Sequence, residues 1–425
     1  MKKVALETIG CRLNQYETEK IAAQLVQIGF ERVDFSDQAD LYIINTCTVT
    51  GRADASCRKA ISRAVRRNNH SPLVIMGCYV SSAGRKAIDP GSVALIVGNN
   101  EKENIISILR QRFPDLFFGD YYDEKISLLK EFYKHHRAWV KIGDGCNQKC
   151  SFCIVPTVRG ALANRSPDEI VSEISSLCSA GYCEIVLTGV HIGRYRSGHI
   201  NSTAELLQFL LSKTDIPRLR LSSIEPQEVT PQLISVMHEL RRQVCRHLHI
   251  PLQSGSDRIL AMMNRPYTAG RYLEILQIAK EKIAGIVIGA DVIVGFPGEE
   301  ETDFLKTIDI VKSGLIDYLH VFSYSDRAGT EASKLPLKVQ PNLIKERNKI
   351  LRCLSAECYA RALKREIGSM AYAISEHKAQ SGDFCWGITD NYLKISMPMK
   401  GAASKDIVKM KVIKATLEYL TGEPI

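Results

Sequence analysis

The sequence predicts a multidomain α/β protein. An N-terminal domain on a parallel sheet precedes a central incomplete (β/α)6 barrel and a small C-terminal antiparallel β-barrel. Three observations carry this. Short apolar runs alternate with amphipathic helical stretches over residues 4–97, the pattern of parallel strands covered by helices. The alternation resumes near residue 137 with six further strand candidates. Beyond residue 366 apolar and polar residues alternate one by one, with glycines between the runs, as short antiparallel strands do.

In the first domain, residues 1–115, stretches 4–9, 41–45, 73–76 and 94–97 read as buried strands. Helical periodicity covers 17–28, with Gly29 as its stop, and 53–67. Residues 104–136 are mixed and charged and read as a connector. The second domain, 133–362, has strand candidates at 138–142, 184–187, 218–221, 246–250, 287–294 and 318–322. Helical stretches near 168–179, 203–213, 231–241, 269–282 and 301–312 separate them. Six β/α units suit an incomplete barrel better than a closed eightfold one. A helix at about 341–366 leads into the last domain, 363–425, a size that fits a small barrel of the kind that binds single-stranded nucleic acid. A structural cap is the plain alternative.

Composition bounds the function. The 425 residues are 45% hydrophobic and 24% charged, ordinary for a globular protein. No apolar stretch approaches the ~20 residues of a membrane span, and MKKVALETIGCRLNQYE turns polar too soon for a signal peptide. A cytoplasmic location without membrane contact is expected. The net charge of +9 favours an anionic partner, nucleic acid above all. Arg58, Lys59, Arg63, Arg66 and Arg67 form the densest basic run, which suits a phosphate contact and a solvated helix face equally.

The thirteen cysteines are the strongest chemical signal. In a reducing compartment they indicate metal or redox chemistry rather than disulfides. Cys146, Cys150 and Cys153 form one local run, C-N-Q-K-C-S-F-C. Cys11, Cys47 and Cys78 are far apart, yet each follows an apolar run and so stands at the carboxyl end of a strand, where ligands of parallel sheets gather. Three thiolates can hold three irons of a cubane cluster and leave the fourth open. Structural zinc needs a fourth ligand, and no close cysteine follows Cys153. Phe152 either shields a cluster face or packs the loop. The other cysteines, 57, 178, 183, 245, 353, 358 and 385, read as small core residues. The polar segments GDGCNQKC, TGVHIG, SSIEP, PLQSGS, VGFPGE and FSYSDRAGT all follow barrel strands, where barrels build their active face. Thr188, Ser223, Glu225 and Gln253 there are candidate cosubstrate contacts as a ring, although each alone reads as loop capping.

Cys146-x3-Cys150-x-Phe152-Cys153 resembles the radical S-adenosylmethionine signature, and its continuation I-V-P-T-V-R-G is similar to that of the methylthiotransferases. T-I-G-C11-R-L-N-Q-Y-E, N-T-C47-T-V and G-C78-Y look like that family's three N-terminal motifs, and H-I-P-L-Q253-S-G-S, D-V-I-V-G-F-P-G-E and Y-S-D-R-A-G-T also match. The last sixty or so residues resemble its tRNA-binding TRAM domain. The resemblance implies two [4Fe-4S] clusters. One, on Cys146, Cys150 and Cys153, would cleave S-adenosylmethionine to a 5′-deoxyadenosyl radical; the other, on Cys11, Cys47 and Cys78, would carry the sulfur. It also implies an electron donor such as flavodoxin or ferredoxin and, as partner, the anticodon loop of tRNA, whose bases are already unpaired.

The N-terminal motifs look most like the subgroup that methylthiolates C2 of threonylcarbamoyl-adenosine 37. Isopentenyl-adenosine of tRNA and a ribosomal-protein aspartate are the alternative substrates in the family. A nucleic-acid-binding protein with structural metal is the non-enzymatic alternative. The chain departs from the family after Cys78-Tyr79, where V-S-S-A replaces a segment that usually holds a glutamine.

Overall fold

The computed structural model describes all residues except 68–70, 83–85, 87, 118–128, 379–383 and 399–404. The N-terminal sheet contains β1 (Lys2–Thr8), β2 (Phe30–Val33), β3 (Leu41–Thr46), β4 (Leu73–Gly77) and β5 (Leu95–Val97) in the order β2-β1-β3-β4-β5, all parallel. Helices α1 (Arg12–Gln27) and α3 (Ile105–Arg112) cover one face, where Ile21, Leu25 and Leu109 pack on Val4, Ile43 and Val74. Helix α2 (Gly51–Arg67) covers the other, with Cys57, Ala60 and Ala64 against Tyr42, Ile44 and Ile75. Strands buried on both faces are largely apolar, which is why β3 and β4 stand out in the sequence.

Three features differ from the sequence reading. Helix α1 starts at Arg12, not residue 17, because Cys11 takes the extended N-cap conformation and Leu13, Asn14 and Tyr16 are already buried. Strand β2 is a four-residue edge strand with one buried residue, too short for a visible period. Helix α3 lies within the expected connector, of which 118–128 are outside the described residues.

The central part holds six parallel strands. β6 (Ala138–Lys141), β9 (Glu184–Thr188) and β10 (Arg218–Leu221) form one sheet, and β11 (His247–His249), β12 (Val287–Val294) and β13 (Tyr318–Ser323) another. Parallel bridges from Leu219 to Val244 and from Ser223 to His249 join the two, so the strands follow one another in chain order. Between them run α5 (Pro167–Ser179), α6 (Thr203–Lys213), α7 (Pro231–Glu239), α9 (Ala269–Lys282) and α10 (Glu301–Lys312). Four short elements complete it: the β7 (Gly143–Asp144) and β8 (Ala163–Asn164) hairpin, α4 (Val155–Arg159) and α8 (Asp257–Met262).

Helix α11 (Pro341–Arg365) leads to a closed barrel of β14 (Met370–Lys378), β15 (Phe384–Thr389), β16 (Lys394–Pro398), β17 (Ile407–Ala415) and β18 (Leu420–Pro424). Its pairings are antiparallel except β16 with β18, which are parallel, so the all-antiparallel expectation is corrected there. Closure leaves no free sheet edge.

This barrel is tied to the central strands by charge. Glu184 is fully buried and accepts from Arg218 at 2.5 Å, Arg220 at 2.8 Å and Arg137 at 3.4 Å. Arg220 also donates to the carbonyls of Thr389 (2.9 Å) and Asp390 (3.1 Å), and Arg218 to that of Tyr372 (2.7 Å). Burial works to raise the Glu184 pKa, but the three guanidiniums hold it well below the carboxylate range. Glu184→Ala strands buried cations and is expected to cost ~3–5 kcal/mol, read as a fall in the urea midpoint at neutral pH. The folded pKa is depressed, so this contribution is full above the ordinary glutamate value of ~4.3 and fades as pH falls below it. The gap between wild type and variant therefore narrows in acid.

Candidate iron–sulfur and cosubstrate site

The strand order explains how distant cysteines meet. β1, β3 and β4 are adjacent in the sheet, so the loops holding Cys11, Cys47 and Cys78 lie side by side at one end of it. Asn14 stitches them, donating from Nδ2 to the carbonyls of Ile9 (2.9 Å) and Thr46 (3.0 Å). The Cys78 N–H donates to the Thr46 carbonyl at 3.0 Å. Gly10 has φ +118°, and a Cβ on it would stand 2.5 Å from Cys47 Cβ, so no side chain fits there. Asn99 Nδ2 donates to Cys78 Sγ at 3.4 Å. Cys11 is exposed, whereas Cys47 and Cys78 are buried.

Cys146, Cys150 and Cys153 sit on the loop between β7 and α4. This loop is clamped along its length. Ser151 bonds the Met262 and Met263 carbonyls, and Asn264 donates to that of Lys149 at 2.6 Å. Arg265 donates to Cys150 Sγ at 3.2 Å and pairs with Glu225. His191 Nδ1 lies 3.3 Å from Cys146 Sγ while its Nε2 meets Glu228 Oε1 at 2.6 Å.

Burial raises a thiol pKa in each set. Burial pushes the Cys47 thiol up to about 11, and its neighbours Cys11 and Cys78 add to the rise. Burial likewise pushes Cys153 up to about 12, with Cys150 and Cys146 adding. Clustered buried thiols resist ionisation until a metal takes the charge, so each set fits a centre bound through thiolates.

The two sets are neighbours. Cys78 packs directly on Ile154 and Val158, which follow Cys153. Arg159, at the end of the same short helix, donates to Asn14 Oδ1 (2.5 Å), Glu17 Oε1 (2.9 Å) and Asp144 Oδ1 (3.0 Å). A cavity of about 170 Å³ opens beside them, lined by Val49 and Thr50 near Cys47, by Phe152 and Cys153, and by Gln253, Asp291 and Phe322 of the central strands. Phe152 packs on Met263 and Phe296, as the loop-packing reading expects, and also lines this cavity.

The proposed cosubstrate ring is uneven. Gln253 lines the cavity and is held at φ +64°, a strained value for a side-chain-bearing residue and one often found at functional sites. Glu225 reaches Cys150 through Arg265. Thr188 is buried at the end of β9 and Ser223 is exposed after β10; neither lines this cavity. Below Gln253, Asp291 Oδ1 meets His249 Nε2 at 2.8 Å and His320 Nδ1 at 3.3 Å. Burial would raise the Asp291 pKa, but the two imidazoles hold it below the usual range. Of the remaining cysteines, 57, 245, 358 and 385 are buried as expected, whereas Cys353 is exposed.

Comparison with known proteins follows this geometry. Residues 3–98 match the family described as "Uncharacterized protein family UPF0004", and residues 140–311 match the radical SAM superfamily. The threonylcarbamoyladenosine tRNA methylthiotransferase MtaB of Bacillus subtilis is 36% identical, over 100% of this chain and 96% of that one. Its namesake in Aquifex aeolicus is also 36% identical, over 92% and 96%. The chain belongs to the radical S-adenosylmethionine methylthiotransferase family. A tRNA-2-methylthio-N(6)-dimethylallyladenosine synthase of Thermodesulfovibrio yellowstonii is 32% identical over 100% of this chain and 99% of the other. In fold, the chain is similar to the radical S-adenosylmethionine methyltransferase TsrM of Kitasatospora setae, with TM-score 0.57, 15% identity and coverage of 78% and 77%. The protein is thus an enzyme of sulfur-group transfer that uses an iron–sulfur cluster and S-adenosylmethionine. Among the described residues, no helix is long and apolar enough to cross a membrane.

Sequence reasoning missed the residues that support the cysteines. Asn14 and Arg159 stood inside recognised motifs, but nothing in spacing told that they join the two sets. His191, Glu228, Asn99 and Arg265 carry no local pattern. One test isolates the cradle around Cys47. Gly10→Ala adds a clash, whereas Gly29→Ala adds a methyl at φ +99° with nothing within 4 Å. After anaerobic reconstitution, the first is expected to bind less iron than wild type and the second to match it, by iron and sulfide analysis.

Proposed function

We propose that this enzyme adds a methylthio group to C2 of N6-threonylcarbamoyladenosine 37 in the anticodon loop of tRNA. Two [4Fe-4S] clusters serve it, one on Cys146, Cys150 and Cys153, the other on Cys11, Cys47 and Cys78. The observation that carries this reading is the convergence of two three-cysteine sets on either side of α4, beside one cavity. The clusters supply reductive cleavage of S-adenosylmethionine at one set and the sulfur at the other.

The chain's own residues orient the partners and exclude water. Gln253, from the cavity wall, and Glu225, fixed by Arg265 against the Cys150 side, serve as cosubstrate contacts. Phe152, Ile293, Phe322 and Tyr324 line the cavity with apolar surface, which keeps water from the reacting carbon. Flavodoxin or ferredoxin is a suitable electron donor.

We read residues 1–115 as the domain of the sulfur-carrying cluster, 133–362 as an incomplete (β/α)6 barrel and 363–425 as a TRAM-like tRNA-binding module. On the last of these, Lys409, Lys411 and Lys414 are exposed along β17, and Tyr372 is exposed in register with Lys409. Cations beside an exposed ring suit phosphate and base together. Identity to a threonylcarbamoyladenosine enzyme over the whole chain supports the choice of base.

Reconstituted enzyme given S-adenosylmethionine, reductant, sulfide and tRNA with either modified adenosine is expected to form the methylthio product on the threonylcarbamoyl nucleoside, detected by mass spectrometry of digested tRNA. 5′-Deoxyadenosine without any change in either nucleoside would move the substrate to a protein. Two variants test the division of labour. Cys150→Ala is expected to yield neither 5′-deoxyadenosine nor product, whereas Cys47→Ala yields the former only.

A further inference from the structure

Arg12 follows Cys11 directly and opens α1, yet its guanidinium leaves the N-terminal domain for the inside of the central strands. Nη2 donates to Tyr392 Oη at 2.6 Å, and the group lies 5.5 Å from the centre of that ring. His247 and Tyr318 feel its charge. His247 and Tyr318 are neutral. Burial holds the His247 pKa well below the usual imidazole value and lifts that of Tyr318 well above the usual phenol value.

The more deeply buried guanidiniums and carboxylates of this interior have counter-charges, whereas Arg352, exposed in the cleft beside Tyr392, bonds only Asn348 and the Val321 carbonyl. Arg159 has Glu17 and Asp144; Arg265 has Glu225; Arg220 has Glu184; Arg246 has Asp390; and Asp291 has two histidines. Arg12 forms no ion pair with a carboxylate among the described residues. A guanidinium stays charged at any working pH, and partial burial without an anion is costly. The arrangement is that of a cation kept for an anion that arrives.

The position of the cation narrows the choice. Phe322 lines the cavity beside Cys153 and also borders a second cleft, along His320 and Tyr318 to Tyr392, the residue that Arg12 bonds. Tyr318 opens β13 and His247 opens β11, so the tip of Arg12 sits at the level where these strands begin. The loop of Cys146, Cys150 and Cys153 follows the far ends of the strands, and S-adenosylmethionine belongs there. A base whose C2 edge lies in the cavity between the cysteine sets can send its N6 substituent down this cleft. A threonylcarbamoyl group carries a carboxylate; a dimethylallyl group is hydrocarbon and would leave the cation unmatched. Such a device selects one base and penalises the other.

We propose that Arg12 is a specificity-determining residue that pairs with the carboxylate of the threonylcarbamoyl group. This rests on the substrate reading above. The test uses reconstituted full-length enzyme and synthetic anticodon stem-loops bearing the threonylcarbamoyl acid, its methyl ester or isopentenyl-adenosine. Arg12→Gln is expected to lower kcat/KM on the acid by ~10- to 100-fold, the range for a charged hydrogen bond. Wild type loses a similar factor on the ester, and the variant does not discriminate acid from ester. Tyr392→Phe removes the same interdomain hydrogen bond and is expected to keep the discrimination.

An equal loss on acid and ester would make Arg12 a strut between domains, and with a raised KM for S-adenosylmethionine a cosubstrate contact; either overturns the proposal while the substrate reading stands. Wild-type product on the isopentenyl stem-loop alone would remove the substrate reading, and this proposal with it.

Discussion

The spacing between the two cysteine sets depends on Arg159. Its guanidinium is almost fully enclosed and binds Asn14 and Glu17 of α1 on one side and Asp144, just before Cys146, on the other. Glu17 is shared with Lys102 at 2.6 Å, so one carboxylate gathers cations from two segments. Burial works against its ionisation, but Lys102 and Arg159 hold it charged below the usual range. Desolvation consumes much of the attraction in such a cluster, so its value lies in orientation more than stability. Directional bonds set the angle at which the N-terminal domain meets the central strands, which apolar packing at Cys78, Ile154 and Val158 would leave looser.

Charge is used the same way at the other end. The C-terminal barrel offers backbone carbonyls of residues 372, 389 and 390 to Arg218 and Arg220, which Glu184 neutralises. Apolar contact between α11, Val287 and the barrel core supplies the hydrophobic burial. Tyr392, held at φ +70°, projects from this docked segment to meet His247 and Arg12. One strained residue of the last domain thereby contacts the first domain inside the middle one. The first two parts share the cavity beside the cysteines and the last two a neighbouring cleft, and the chemistry proposed there needs radicals shielded from water.

Much of this was legible in the chain. The doubly buried strand β4 is a continuous apolar run, β3 is one up to its last two residues and β12 is broken only at Asp291, and helices such as α9 and α10 carry a full amphipathic period. Elements of no more than two turns or pleats were not legible: β2, α4 and α8 have four, five and six residues, too few to display a pattern. The early start of α1 was hidden because Asn14 and Glu17 are polar residues buried for their partners. The parallel pairing of β16 with β18 is a property of barrel closure that neither strand states alone.

The sequence by itself determined the six cysteines, the alternation of strands and helices, and the motif likeness that leads to sulfur transfer, because these depend on residue type and local spacing. The tertiary structure alone decided what those residues meet. Strand order β1-β3-β4 made neighbours of Cys11, Cys47 and Cys78, and docking set Cys78 against the helix after Cys153. It also left Arg12 facing neutral groups inside the central strands while the more deeply buried guanidiniums around it found carboxylates. Charge matching joins groups more than a hundred residues apart, such as Glu17 and Arg159, and no local pattern encodes it.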